Sequence, residues 1–151
     1  MIEIIDYTDE YEAEFKNLNL EWLNKYNLAE SHDLDILNDP HKTILDTGCC
    51  IFLAKSGNEI VGSAALIHEG EGLYELAKMS VTTAFQGKGI SKMLIEKCLN
   101  TAKELKATKL ILFSNSQLTT AISLYEKYGF KHIAATDSPF LTADIKMELS
   151  L

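Results

Sequence analysis

The chain has 151 residues, of which 46% are hydrophobic, and carries a formal net charge of −8. That length suits one domain spanning 1–151 with a buried core, and the acidic balance speaks against a nucleic-acid-binding surface while favouring a cationic or neutral partner. No apolar run is long enough to cross a membrane, and Met1-Ile2-Glu3-Ile4-Ile5-Asp6 is neither basic nor followed by a cleavage-like site, so a cytoplasmic protein without membrane contacts is expected.

Ile2 to Tyr7 reads as a first strand, and Asp9 followed by Glu12 has the spacing of a capping box opening a helix. Tyr11, Phe15, Leu18, Trp22 and Tyr26 recur along that helix as an apolar stripe, and rings at helical spacing normally pack inward. Ser31 is placed to cap a second helix that runs through Leu37 and is stopped by Pro40. Its acidic residues Glu30, Asp33, Asp35 and Asp39 read as a solvated face, although they could also attract an amine. Cys49 to Ser56 and Glu59 to Glu69 form a hairpin around Gly57-Asn58, with Gly62 marking a bulge. Three cysteines cannot make a complete disulfide set, and Cys49 and Cys50, as strand neighbours, should point to opposite faces.

Gly70-Glu71-Gly72 breaks into a strand from Leu73 to Val81. Alternation puts Leu73, Glu75, Ala77, Met79 and Val81 on one face, and Tyr74, Leu76, Lys78 and Ser80 on the other. Glu75 is thus a carboxylate on an apolar face, which calls for either an ion pair or an acid/base role. A loop, Gln86-Gly87-Lys88-Gly89-Ile90-Ser91, leads into a helix with Ile90, Leu94, Cys98, Ala102 and Leu105 on its apolar side. Two glycines before a helix allow backbone N–H groups to turn towards an anion, and a phosphate is the natural guest. Neither the P-loop frame nor the third glycine of a dinucleotide fingerprint is present. Lys109 to Phe113 then reads as a buried strand. It is followed by Ser114-Asn115-Ser116, a short helix with Ala121, Leu124 and Tyr125, and closing strands at Lys131 to Ala134 and Ala143 to Glu148. The four histidines lack ligand spacing with the cysteines, so no metal site is expected.

Gln86 to Ser91 fits Q-x-x-G-x-[small], and Leu124 to Phe130 reads L-Y-E-K-Y-G-F. Together they resemble the GNAT superfamily of N-acetyltransferases, in a bacterial-type branch. The resemblance implies an α/β fold with a mostly antiparallel sheet of about seven strands and about four helices. It implies acetyl-CoA as co-substrate, its pyrophosphate held on the amides of Gln86, Gly87, Lys88, Gly89, Ile90 and Ser91. Asn115 would contact the pantetheine arm, and a backbone amide near Met79, Ser80 or Val81 would polarise the thioester carbonyl. Glu75 would act as general base towards a primary amine acceptor, and Tyr125 as general acid towards the departing thiolate. Ser91 stands where the family more often has glycine or alanine. The resemblance also makes the aromatic stripe of the first helix a second candidate, as an acceptor-binding wall, and a homodimer would be in keeping with the family. Two other classes remain compatible with these residues: a non-catalytic acyl-CoA sensor, and an interaction domain on the same fold.

Overall fold

The computed structural model describes residues 1–136 and 138–151. Its elements run β1 (Ile2–Asp6), α1 (Glu12–Lys25), α2 (Ser31–Asn38), β2 (Cys50–Ser56), β3 (Glu59–Gly70), β4 (Leu73–Val81), α3 (Ile90–Glu104), β5 (Lys109–Ser114), α4 (Thr119–Lys127), β6 (Lys131–Ile133) and β7 (Ile145–Ser150). The strands form one sheet in the order β1-β2-β3-β4-β5-β7-β6. β4 and β5 are parallel, and every other neighbouring pair is antiparallel. This is the mixed α/β architecture of seven strands and four α-helices expected from the sequence.

Each face of the sheet carries a helical layer. On one face Leu94, Ile95 and Cys98 of α3 and Tyr125 of α4 pack on Leu66, Leu76, Leu110, Leu112 and Met147. On the other, Phe15 and Leu18 of α1 and Leu37 of α2 pack on Ile51, Leu53 and Ala65. The apolar stripe of α1 therefore divides: Phe15 and Leu18 are core, whereas Trp22 and Tyr26 near its C-terminal end are only half-buried. Cys98 is fully buried, as its place on the apolar side of α3 requires.

Register shifts reshape the central strands, and two of them bear on the site. The first falls between β2 and β3 beside Gly62, where Ala54 pairs with Gly62 but Lys55 pairs with Ile60. The second falls between β3 and β4: Ser63 pairs with Ser80 and Ala65 with Ala77, so one residue of β3 opposes both Lys78 and Met79. Lys78 takes up the extra residue with φ 52°, in the left-handed region that a non-glycine side chain enters only at a cost. Strict alternation along β4 is lost there. Met79 and Val81 join the layer of Tyr74 and Leu76, while the Ser80 hydroxyl turns to the opposite helix and donates to the Leu18 carbonyl at 2.9 Å.

Several local expectations are corrected. Asp9 and Glu12 form no capping box: Asp9 to Tyr11 is a short 3-10 turn, and the Asp9 carboxylate instead meets His41 Nδ1 at 3.1 Å. Ser31 is the first residue of α2 rather than its cap. Glu30 occupies the cap, and its backbone N–H donates to Asp33 Oδ2 at 3.0 Å. Asp33 is buried rather than solvated, because it faces the sheet and finds a cation there. Beyond Pro40 the chain makes a π-helical turn at His41–Leu45 that has no separate sequence signal. Cys49 lies just outside β2, so strand alternation does not separate it from Cys50, and the two sulfurs lie side by side. Among the described residues no helix is long and apolar enough to cross a membrane.

Phe15 is fully buried against Tyr7, the ring centroids 5.9 Å apart. Phe15→Ala should cost about 3–5 kcal/mol of unfolding free energy, the usual penalty for deleting a buried ring. Urea unfolding, with an unchanged dependence on denaturant, would check it.

Candidate active site

The parallel pairing of β4 with β5 is short. It joins Leu73, Tyr74 and Glu75 to Lys109, Leu110 and Ile111 and then stops, although β4 continues to Val81 and β5 to Ser114. A cavity of about 340 Å³ lies beyond the last pair. Its floor is β4 from Glu75 to Val81, and one wall is Phe113 to Asn115 with the start of α4. The opposite wall is Trp22 of α1 and Tyr26 just past its end, with Phe140 and Thr142 above.

Of the residues singled out from the sequence, Glu75, Met79, Ser80, Val81, Gln86, Ser91, Asn115 and Tyr125 all line this cavity. Gly87, Lys88, Gly89 and Ile90 do not. They form the turn that carries the chain from the cavity mouth into α3, with Gly89 at the N-cap in the left-handed conformation (φ 81°) and Ile90 anchored in the core. Lys88 folds back over the Phe85 ring, its Nζ 5.1 Å from the centroid. Gln86 Nε2 donates to the Val81 carbonyl at 3.2 Å, tying the loop to the end of β4. The side chain of Asn115 is internally committed: Nδ2 donates to the Thr142 carbonyl at 2.7 Å, and Oδ1 accepts from the Gln117 N–H at 3.0 Å.

Glu75 is 5% exposed. Removal from water pushes its carboxyl up to about 8, helped by the hydrogen-bonded carboxylate of Glu69 at the end of β3 and opposed by the Lys78 charge. No cation among the described residues forms an ion pair with it; the lysine one turn of strand away is taken by another acid. Lys78 Nζ lies 2.5 Å from Asp33 Oδ1 on α2, and both side chains are about 4% exposed. Sequence reading missed this pair, because it treated Lys78 as a regular strand residue and Asp33 as surface.

The cavity roof is built on the same residues. Phe140 stands over Lys78, its ring centroid 5.3 Å from Nζ, and packs edge-on against His32 at 4.8 Å. Next to it the Glu30 carboxylate accepts from the Leu141 N–H at 2.7 Å, the Thr142 N–H at 2.9 Å and the Thr142 hydroxyl. These bonds hold the Glu30 carboxyl below its ordinary range despite the cost of desolvation. At the other end, Tyr125 is buried edge-on against Phe130, and burial raises its phenol well above the ordinary tyrosine value, keeping it protonated.

The model of the acetyltransferase (GNAT) family matches residues 8–130. The chain belongs to this family. Among relatives, an uncharacterised N-acetyltransferase YvbK of Bacillus subtilis is 32% identical over 115 residues, covering 74% of this chain and 73% of its own. The human N-acetylaspartate synthetase is 37% identical over 91 residues, covering 60% of this chain. This chain spans only 30% of that synthetase's length. A GNAT-family acetyltransferase structure from Staphylococcus aureus superposes with a TM-score of 0.92 at 25% identity, over 100% of this chain and 99% of the other. The PaiA N-acetyltransferase of Thermoplasma acidophilum, solved with coenzyme A, has the same fold, with a TM-score of 0.80 at 18% identity over 100% and 99% of the two chains.

Burial of Glu75 has a sign that stability can read. The folded chain retains a proton that the unfolded chain releases near 4.5, so stability from this group is complete below that pH and is lost as pH rises through about 8. Glu75→Gln should therefore raise the thermal midpoint above the parent's by more at pH 9 than at pH 5.

Proposed function

We propose that this chain, as one domain over 1–151 working in the cytoplasm, transfers the acetyl group of acetyl-CoA to a primary amine without an acyl-enzyme intermediate. The observation that carries this reading is the presence of Glu75, buried and without an ion-pair partner among the described residues, on the same cavity as Tyr125. The coenzyme enters from the side of the Gln86 to Ser91 loop. Its pyrophosphate takes the backbone N–H groups at the start of α3, where the helix dipole adds partial positive charge. The pantetheine arm lies between β4 and β5, where the ladder has ended, and backbone groups from Met79 to Val81 are placed to meet it. That a protein of this fold, PaiA, was solved with coenzyme A supports coenzyme binding here.

Glu75, directly or through a water, takes a proton from the acceptor ammonium. The freed nitrogen then forms a bond to the thioester carbonyl carbon. A backbone N–H of Met79 to Val81 stabilises the negative charge on the carbonyl oxygen. When the carbon–sulfur bond breaks, the phenol of Tyr125 gives its proton to the thiolate, and the second proton released by the acceptor nitrogen restores the phenol through solvent. Positioning of amine and thioester supplies the larger share of the rate. Asn115 contributes by fixing the wall of the channel, since its amide already binds Thr142 and Gln117.

Thermal unfolding with acetyl-CoA tests the first step. The midpoint should rise with ligand, by about 2.7 kcal/mol of added stability at a hundredfold excess over the dissociation constant, and Gly89→Glu should abolish the rise. The absence of any shift at millimolar ligand would remove the transferase reading. For the chemistry, Glu75→Gln and Tyr125→Phe should each lower kcat by about 10²–10⁴-fold while leaving acetyl-CoA affinity in place. A sensor would bind the coenzyme but show no turnover for these variants to lose. In the parent enzyme kcat/KM should climb with pH and level off above about 8, because Glu75 must be deprotonated to act.

A further inference from the structure

The proposal concerns the acceptor end of the cavity and rests on the transferase reading above. All fourteen basic residues of the chain are lysines, so it holds no guanidinium with which to grip a carboxylate in two-point fashion. Of those lysines, Lys78 alone lines the cavity. Its charge is already matched by Asp33 at 2.5 Å, both groups being removed from water, and the Phe140 ring covers its ammonium. A second anion there would have to displace Asp33 from a buried pair, and a buried carboxylate left unpaired costs more than the new contact returns. Glu75 beside the pair supplies no positive charge for a substrate carboxylate, and once deprotonated it can take the proton of a substrate ammonium. Uncharged surface is available to the body of the acceptor, and Trp22 of α1, Tyr26 just past its end, Leu28 and Phe140 make much of it apolar. Glu30 pins the segment after Phe140 to the cap of α2 through the N–H groups of Leu141 and Thr142.

We propose that the acceptor is a small primary amine with an uncharged, apolar or aromatic body, and that the Asp33–Lys78 pair together with Phe140 selects against acceptors carrying a carboxylate. This separates the chain from what the name of its human relative states for that protein, an N-acetylaspartate synthetase.

Trp22 is the chain's only tryptophan and lines the acceptor end, so its fluorescence reports binding independently of turnover. The full chain, saturated with free coenzyme A, would be titrated with 2-phenylethylamine and with L-aspartate, and thiol release from acetyl-CoA measured with the same two amines. Saturable change in Trp22 emission with 2-phenylethylamine, and a kcat/KM at least tenfold above that for L-aspartate, is the expected result. Phe140→Ala should raise KM for 2-phenylethylamine about tenfold with a smaller change in kcat, and Asp33→Asn, which frees the Lys78 ammonium, should narrow the preference over aspartate at least tenfold. Equal or better use of L-aspartate, or no response of Trp22 and no acetylation with 2-phenylethylamine, overturns the proposal. If acetyl-CoA still raises the thermal midpoint in that event, the transferase reading survives it; if no midpoint shift is seen either, both fall together.

Discussion

Within β4 the backbone passes through the left-handed region at Lys78, a conformation that a lysine does not adopt for its own sake, and most of the site depends on it. The extra residue reverses the order in which side chains face the two helical layers, sending Met79 and Val81 to one and Ser80 to the other. It also presents the Lys78 ammonium to Asp33 on α2. The ladder to β5 has already ended three residues earlier, at Glu75 and Ile111. A regular strand at this point would extend the pairing and leave no opening between β4 and β5. The strain is offset by a buried ion pair, by the bond from the Ser63 hydroxyl to the Lys78 carbonyl at 2.7 Å, and by the ring of Phe140.

Most of the fold was legible because the sequence signals were strong and local. The limits of β4, the hairpin turn at Gly57-Asn58, the bulge at Gly62 and the apolar side of α3 all follow from alternation, turn chemistry or helical spacing. The motifs around Gln86 and Tyr125 marked the two ends of the coenzyme side, and residues from both line one cavity. What could not be read was long-range. Nothing in Ser31 to Asn38 announces that Asp33, and not Asp35, meets a lysine 45 residues further on. Likewise, the bulge at Lys78 leaves no glycine behind to betray it, so alternation was carried straight through it. Glu30 looked like one more surface acid, yet its oxygens hold two backbone N–H groups more than a hundred residues away. Capping was misassigned at both N-terminal helices, for different reasons: the Asp9 carboxylate has His41 as its partner, and α2 begins one residue early, on a Glu30–Asp33 box.

The electrostatics of the cavity come in two parts that stay apart. One is a matched pair, Asp33 with Lys78, whose charges cancel in place. The other is Glu75, which the pair leaves without an ion-pair partner among the described residues and whose proton affinity Glu69 raises further. Had Lys78 turned to Glu75, that carboxylate would be held ionised and weakly basic. The choice of partner made by one lysine thus sets the proton affinity of a group beside it.

β7 follows β6 in the chain but lies between β5 and β6 in the sheet. Until Ile145 to Ser150 slots in, β5 has a bare edge along its whole length and β6 has no partner at all. Met147, fully buried at the middle of that insert, then closes the layer beneath Leu112 and Tyr125. During synthesis, the half of the protein that holds the tyrosine must therefore wait with an open, sticky strand edge until Ile145 to Ser150 has emerged from the ribosome.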